Sequence, residues 1–381
     1  MKIIISINTS WNFINFRSGL IKALVASGHE VVAVAPKDAC SARLPLLGCR
    51  YVPLPMDNKG TNPVKDMLLL WRYHTLFRRE KPGVYLGYTV KPNIYGSIAA
   101  HLNKIPVINN IAGLGAVFIS DGWLTGLVKK LYTLALFRSN KVFFQNNDDL
   151  LLFVDGGLVS PEKAERIPGS GIDLERFNPS PLDKKKGDPI TFLLIARLLW
   201  DKGVGEFVEA ARLLRGAYPD TQFHLLGFLN VENPSAISKD QVDAWEQQGY
   251  IKYLGVCDDV RNEITRSDCV VLPSYREGLP RTLLEAAAMG RPVIATDVAG
   301  CRDVVDDGWN GYLCNPKDAH DLARKMEQMI RLSQNQRDEM GVRGRRKVAL
   351  EFDENIVIER YIGAIENISK ESSGSCVYTT V

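Results

Sequence analysis

With 381 residues, the chain is long for a single hydrophobic core and is sized for two domains. Charged residues make up 24% and apolar residues 45% of the sequence, which is typical of a globular protein and excludes a disordered or fibrous one. The net charge of +3 is too small to argue for nucleic-acid binding, although it leaves room for a local basic patch.

The seven cysteines form no Cys-x-x-Cys pair, and most lie in apolar, strand-like surroundings. They are typical of reduced core residues in a cytosolic protein and do not indicate a disulfide or zinc framework. The sequence begins directly on an apolar run at residues 2–7, without the pattern of a signal peptide. Since no window reaches 18 consecutive apolar residues, we expect no membrane-spanning helix.

The first half alternates short apolar runs with helical patterns. Strands are predicted at 3–7, 30–35, 51–54, 84–87, 107–110 and 141–145, and helices at 16–27, 63–79, 93–102, 123–137 and 148–155. Repetition of strand, helix and strand predicts a parallel sheet with helices on both faces.

Glycine, proline and a run of charges then interrupt the pattern over residues 169–189, which we interpret as an interdomain linker. The pattern restarts with strands at 190–195, 221–226, 251–254, 269–272 and 292–296 and helices at 204–218, 259–266, 282–289, 318–332 and 336–351. The predicted organisation is a domain at 1–168, the linker, a domain at 190–354, a helix at 355–371 and a disordered tail at 372–381.

The stretch from Pro273 to Thr296 carries the strongest chemical pattern. It leads from the end of a buried strand through a Gly/Pro turn into a predicted helix. A helix N-terminus gathers unpaired N–H groups and partial positive charge, so it favours an anion such as phosphate. Glu277 and Glu285 would repel that anion unless they bind hydroxyl groups, and the combination therefore suggests a sugar nucleotide.

Two cations follow a strand within one loop, Arg197 and Lys202. The planar guanidinium of Arg197 and the compact ammonium of Lys202 could bind two phosphates. Both residues follow a strand end, which is where open α/β sheets bind ligands. Their spacing alone also fits a solvated pair of surface residues. The sequence has no Asp-x-Asp triplet and only scattered histidines, so a divalent metal has no evident site.

In their order, the motifs of the second half resemble those of the family 4 glycosyltransferases of the GT-B fold. The matching segments are Ala196-Arg-Leu-Leu-Trp-Asp-Lys-Gly203, Leu226-Gly227, Tyr253-Leu-Gly255, Pro273-Ser-x-x-Glu-Gly278, Glu285-Ala286, Gly290-Arg-Pro-Val-Ile-Ala-Thr296 and Gly308-x-Asn-Gly311. The first half is similar to the capsular-polysaccharide subgroup, through Gly113-Leu-Gly115, Phe144-Gln-Asn-x-Asp148 and Gly169-Ser-Gly-Ile-Asp173 followed by Arg176-Phe177.

This resemblance covers nearly the whole chain and implies an α/β protein with two Rossmann-like parallel-sheet domains facing a deep cleft. The C-terminal helix would pack back on the N-terminal domain, which binds the acceptor, while the second domain binds the nucleotide sugar. The implied bacterial enzyme moves a hexose or N-acetylhexosamine, first of all N-acetylgalactosamine, with retention. The donor is a UDP-sugar, and the acceptor is a polyprenyl-diphosphate-linked saccharide in capsule, O-antigen or exopolysaccharide assembly.

The resemblance also implies no metal or other cofactor, no nucleic-acid partner, and a cytoplasmic location with peripheral contact to the inner membrane. The catalytic residues carried over are Glu277, Arg197 and Lys202, with Glu277 accepting hydrogen bonds from the donor sugar and the two cations meeting the diphosphate. We interpret Arg276 and Arg281 as surface residues.

Further donor contacts are implied for Glu285, whose two acceptor oxygens suit the ribose hydroxyls. An ordinary exposed helix residue is the alternative interpretation of this carboxylate. The remaining donor-binding candidates are the amides of Gly278 and Leu279 for a phosphate, Ser274 as support of the loop, Gly255 for close approach of the uracil, and Gly227.

The first domain departs from its relatives. The loop over residues 8–19 lacks the glycine pair that many relatives carry, and Asn110 stands near the place of their donor-contacting histidine. The acceptor candidates are Asn15, Arg17, Lys91, Asn110 and Gly113. For Lys91, contact with the acceptor diphosphate and a plain surface lysine remain open alternatives.

The predicted helix at 123–137 has an apolar face beside Lys129 and Lys130. It fits either a membrane-interface helix or a core helix of the first domain.

Two functions compete with transfer: a non-catalytic subunit that binds sugar nucleotides or polysaccharide, and a GT-B nucleotide-sugar epimerase. The epimerase would need further acids and bases that the sequence does not show.

Overall fold

The computed structural model describes residues 1–57, 60, 62–113, 123–179, 188–229, 231 and 233–374. The chain divides into two compact units. Unit 1 comprises Met1–Gly171 together with Glu354–Val381, and unit 2 comprises Ile172–Asp353. Within the predicted linker, Ile172 and Phe177 are buried in the core of unit 2. Residues 180–187 of that linker and 375–381 of the predicted tail lie outside the described residues.

Unit 1 contains a seven-stranded sheet in the order β3-β2-β1-β4-β5-β6-β7, with every pair parallel. The strands are β1 Lys2–Ser6, β2 Glu30–Ala35, β3 Arg50–Pro53, β4 Val84–Tyr88, β5 Val107–Ile111, β6 Lys141–Phe144 and β7 Ala164–Arg166. The helices are α1 Ser10–Phe16, α2 Ser18–Ala26, α3 Pro63–Glu80, α4 Ser97–Leu102, α5 Trp123–Leu136 and α6 Asn147–Asp155. Continuous apolar runs such as Ile3–Ile5 are buried completely, as parallel strands covered on both faces require.

Three elements of unit 1 differ from the sequence prediction. The helix predicted at 16–27 is observed as α2, while the predicted loop before it contains the additional helix α1, which ends at Arg17 where α2 begins. Thr9 caps α1 by accepting a hydrogen bond from the Asn12 amide at 3.2 Å. A π-helical turn at Pro92–Gly96 precedes α4. Strand β7 was not predicted, since its sequence Ala-Glu-Arg has no apolar pattern.

Unit 2 contains a six-stranded parallel sheet in the order β10-β9-β8-β11-β12-β13. The strands are β8 Thr191–Ile195, β9 Gln222–Leu226, β10 Lys252–Tyr253, β11 Cys269–Leu272, β12 Val293–Thr296 and β13 Gly311–Cys314. The helices are α7 Val204–Leu214, α8 Lys239–Gln247, α9 Arg261–Arg266, α10 Arg281–Ala288, α11 Cys301–Val304, α12 Ala319–Arg331 and α13 Gln334–Glu351. Helices α8 and α11 and strand β13 were not predicted.

The last helix, α14 Glu354–Gly374, returns to unit 1 and packs against α2. Val357, Tyr361, Ile365 and Ile368 lie on one face of it and are buried among residues of β1, β2 and β4. Each such side chain contributes about 2 kcal/mol by leaving water, so this face is sufficient to hold the helix in place. The predicted return of the C-terminal helix to the N-terminal domain is confirmed.

Each sheet has one position where the chain order reverses, between β1 and β4 in unit 1 and between β8 and β11 in unit 2. Connections leave neighbouring strands in opposite directions at such a point, so their loops separate and leave a crevice beyond the carboxyl ends of the strands. By this rule, we expect each unit to bind its ligand at its crevice.

Candidate active site

The crevice of unit 2 brings together the loops that follow β8 and β11. Lys202 lies in the short helical turn Trp200–Lys202, and its Nζ is 2.5 Å from Oε1 of Glu277 in the loop after β11. Their side chains are only 19% and 14% exposed. The backbone reinforces this pairing, because the Tyr275 amide donates to the Asp201 carbonyl at 3.0 Å. A partly buried cation and carboxylate thus face each other where the ligand is expected.

The loop after β11 also presents unpaired backbone donors. Helix α10 begins after Pro280 without a side-chain cap. Among the residues that the structure describes, the N–H groups of Leu279 and Thr282 have no hydrogen-bond partner. Unpaired amides at the start of a helix are suited to an anion, and those at this helix lie in the same loop segment as Glu277.

Glu285 is on the second turn of α10, where its Oε1 accepts a hydrogen bond from Nε of Arg281 at 3.0 Å. The two side chains are 14% and 16% exposed. The interpretation of Arg281 as a surface residue was therefore wrong, as was the alternative of an exposed Glu285. The i, i+4 spacing of the two residues was a signal of this ion pair. Burial raises the pKa of Glu285, and the charge of Arg281 opposes the rise.

We expect Glu285→Gln to stabilise the ligand-free protein at pH 7 and to weaken UDP binding about tenfold or more. A raised pKa means that ionisation of Glu285 costs stability above that pKa, whereas the cost disappears as the pH falls below the ordinary value of 4.5. Thermal unfolding at pH 7 and pH 4.5 measures the difference between the variants. Glu339→Gln, on an exposed part of α13, is the control. A variant that is less stable than wild type at pH 7 would contradict this account.

The other predicted donor residues lie at the same edge of the sheet. Arg197 is exposed, and its guanidinium has no partner among the described side chains. Ser274 is fully buried and its Oγ is unpaired within the part of the chain that the structure describes, while its carbonyl accepts a hydrogen bond from Thr296. The Gly227 amide donates to the Gly255 carbonyl at 2.9 Å, which joins the ends of β9 and β10.

In unit 1, the crevice holds a buried polar cluster around Arg17. This residue is 5% exposed, and its guanidinium lies 4.5 Å from the ring centroid of Tyr88. Asn110 is fully buried, and its Oδ1 accepts a hydrogen bond from Gln145 at 3.4 Å. Among the described residues, the Asn110 Nδ2 and the hydroxyls of Tyr88 and Tyr361 have no hydrogen-bond partner. Burial raises the pKa values of both tyrosines, and Arg17 opposes the rise.

The sequence interpretation did not identify Tyr88, Tyr361 or Gln145. Tyr361 arrives from α14, at the opposite end of the chain, so no local pattern connects it with Arg17 or Asn110. Tyr88 and Gln145 do stand at strand ends, and that position was the available signal.

Lys91 follows β4 and its Nζ is 2.7 Å from Oδ1 of Asp66, with both side chains 13% exposed. The Tyr95 hydroxyl donates to the other oxygen of Asp66 at 2.9 Å. The alternative of a plain surface lysine is thus wrong. Asn15 donates to the Trp11 carbonyl within α1 at 3.0 Å, and Gly113 follows β5 with a φ of 125°. Gly115 lies outside the described residues.

The described part of the chain contains neither a metal-binding cluster nor a membrane-spanning helix. No three His, Cys, Asp or Glu side chains there are grouped in a way that fits a metal ion. None of the helices there combines the length and the apolar character that crossing a bilayer requires.

Comparison with known proteins identifies the class of protein to which the two parallel-sheet units belong. Residues 179–347 match the family model described as glycosyl transferases group 1, and residues 2–146 match the model described as glycosyl transferase 4-like. The chain therefore belongs to the family 4 glycosyltransferases, with the GT-B pair of Rossmann-like sheets, and is a hexosyltransferase.

Among its relatives is the N,N'-diacetylbacillosaminyl-diphospho-undecaprenol alpha-1,3-N-acetylgalactosaminyltransferase of Campylobacter jejuni, 28% identical over 93% of this chain and 96% of the relative. Another is the UDP-Gal:alpha-D-GlcNAc-diphosphoundecaprenol alpha-1,3-galactosyltransferase of Escherichia coli, 28% identical over 67% of this chain and 68% of the relative. Of solved structures, Anabaena Alr3699/HepE in complex with UDP superposes with a TM-score of 0.76 at 17% identity, covering 98% of this chain and 100% of that one.

Proposed function

We propose that the enzyme transfers a hexose or N-acetylhexosamine, N-acetylgalactosamine in the first place, from a UDP-sugar to a polyprenyl-diphosphate-linked saccharide. The names of the Campylobacter and Escherichia relatives both specify acceptor sugars on diphosphoundecaprenol, and the Campylobacter relative moves N-acetylgalactosamine. The capsular enzyme CapM of Staphylococcus aureus, 24% identical over 81% of this chain, supports a role in surface-polysaccharide assembly.

The observation that carries the proposal is the Lys202–Glu277 pair beside the uncapped start of α10. As the sugar–phosphate bond breaks, negative charge grows on the diphosphate. Lys202, Arg197 and the amides of Gly278 and Leu279 are fixed positive groups that stabilise that charge without a metal. Glu277, released from Lys202 by the phosphate, accepts hydrogen bonds from the sugar hydroxyls, and Glu285 accepts those of the ribose.

Retention of the anomeric configuration fits this set of groups, because none of them is placed as a covalent nucleophile. The acceptor hydroxyl then enters on the face from which the diphosphate departs. Its proton passes to an oxygen of the leaving phosphate. The enzyme's own groups orient both substrates and stabilise the departing charge.

The acceptor would bind at the crevice of unit 1. Arg17 and Lys91 are cations for its diphosphate, with Lys91 exchanging Asp66 for the phosphate. Asn110 at the end of β5, Gly113 just after it and Asn15 on α1 would be further contacts. Since such an acceptor is anchored in lipid, the enzyme would work at the cytoplasmic face of the inner membrane as a peripheral protein.

The test offers a panel of UDP-sugars and a synthetic lipid-diphosphate saccharide to the purified enzyme and follows the product by mass. NMR of the new linkage reports retention, and an arm with a chelator reports any metal requirement. We expect transfer from one UDP-sugar, unaffected by chelation. Transfer at the wild-type rate in Glu277→Ala or Arg197→Ala would refute the site.

The same assay separates the competing functions. A binding subunit would retain UDP affinity but yield no product with any donor. An epimerase would convert the donor sugar in the absence of acceptor. The proposed donor site contains Lys202, Arg197, Glu277 and Glu285 together with unpaired amides, which supports catalysis over binding alone.

A further inference from the structure

Helix α3 exposes an apolar stripe to solvent, formed by Val64, Met67, Leu68 and Trp71. These side chains are 76%, 65%, 42% and 61% exposed. Their spacing of three, four and seven residues places them on one face of the helix. Scattered single apolar residues are normal on a protein surface, whereas four large ones on one helix face mark an interaction surface.

The stripe is additional to the face that holds α3 in the fold. Leu69, Tyr73, Leu76 and Phe77 pack into the core under the helix. Replacing stripe residues therefore leaves that packing intact, because their side chains lie in solvent rather than in the core.

Positive charge is concentrated on the same part of unit 1. Helix α5 exposes Leu134 and the adjoining Phe137 beside Lys129 and Lys130, and both α3 and α5 pack against the segment Pro92–Leu102. Residues 63–81 and 123–138 together hold eight basic and two acidic residues. Their net charge of +6 exceeds the +3 of the whole chain, so the remainder is acidic on balance. Apolar side chains among basic ones complement a surface of anionic lipid.

The stripe also begins beside a residue of the proposed acceptor site. Asp66, in the first turn of α3, pairs with Lys91 at the carboxyl end of β4. The first turns of α3 therefore lie at the sheet edge where the acceptor diphosphate is proposed to bind. Asp66 lies on the opposite side of α3 from the stripe, so a diphosphate held there would leave its lipid within about one helix diameter, roughly 10 Å, of the stripe.

We propose that the stripe on α3 is a membrane-docking surface, which enters the interface of an anionic bilayer and sets the Lys91 side of unit 1 against the lipid-linked acceptor. The inference rests on the proposed function for its acceptor. Trp71 occupies the membrane–water boundary, where its ring is favoured, while the basic residues of α3 and α5 contact the lipid headgroups.

The experiment measures flotation of the full-length protein with vesicles of phosphatidylcholine alone or with phosphatidylglycerol. We expect binding to the anionic vesicles at low salt, with loss at high salt. Met67→Ser/Trp71→Ser is expected to lower binding about tenfold or more. The matched control is Val342→Ser/Leu350→Ser on α13, whose residues are 67% and 68% exposed. Leu134→Ser/Phe137→Ser tests α5 as the alternative.

Several results would overturn the proposal: equal loss of vesicle binding in the control variant, loss only in the α5 variant, equal binding to neutral vesicles, or a dimer in light scattering that the α3 variant abolishes.

Transfer assays separate this proposal from the proposed function. The α3 variant is expected to retain transfer to a short-chain, water-soluble acceptor and to lose it about tenfold with a long-chain acceptor in vesicles. Failure of transfer in wild type would refute the acceptor, while the flotation results would still decide the docking surface.

Discussion

Replacing Lys202 by methionine is expected to lower kcat/KM for the donor by about 100- to 1,000-fold, which is the usual effect of removing one fixed positive group from a developing oxyanion. Methionine replaces most of the lysine's aliphatic chain, so packing changes little while the charge is lost. Glu277 then lacks the cation that lies 2.5 Å away in the wild type. Steady-state kinetics at saturating acceptor, with UDP titration calorimetry, measure both effects.

Two variants make this result specific. Lys239→Met removes a lysine that is 63% exposed on α8 and pairs with Asp243, and it should leave kcat/KM unchanged. The single variant Lys202→Met should also lose stability, because Glu277 is left without its partner. In the double variant Lys202→Met/Glu277→Gln no such carboxylate remains, so we expect stability to be restored while activity stays low. If Lys202→Met retained more than half of wild-type kcat/KM, the diphosphate would have to be stabilised elsewhere.

The second large effect is expected for Gly227→Ala, which should destabilise unit 2 by about 3 kcal/mol or more. Gly227 has a φ of 150°, and a Cβ there would collide with the carbonyl oxygen of Ala196. Relief requires β8 and β9 to separate at the edge that carries Arg197. Thermal unfolding and UDP binding should therefore decline together.

Gly255→Ala is the matched comparison. Its φ is 77°, but a Cβ there meets nothing within 4 Å, so only backbone strain of about 1 kcal/mol is expected. If the uracil approaches this backbone, the added methyl group should weaken UDP binding far more than it lowers stability. Wild-type UDP affinity in Gly255→Ala would exclude that role, and an unchanged melting temperature in Gly227→Ala would contradict the packing argument.

Strands in both units were predictable because parallel strands covered on both faces require continuous apolar runs, as in β1 and β11. Elements with little apolar character were missed, and β7 and α8 are examples. Helix α8 buries only Val242 and Trp245, so its periodicity is short, although Ser238 provides a regular N-cap.

By itself, the sequence determined the local part of the proposed donor site. The loop, the helix start and both carboxylates lie within Pro273–Thr296, with Glu277 in the loop before α10 and Glu285 on the second turn of that helix. Tertiary structure alone decided the pairing of Lys202 with Glu277 and of Lys91 with Asp66, because the partners come from different elements. It also decided the ring contact between Tyr361 and Tyr88, at a centroid distance of 6.0 Å.

The same limit explains the stripe on α3. Its sequence is apolar on two faces, at Val64, Met67, Leu68 and Trp71 and at Leu69, Tyr73 and Leu76. Periodicity shows that both faces are apolar but not which one the sheet covers. Burial of the second face by β-strands of unit 1 is what leaves the first in water, and only the packed structure determines that choice.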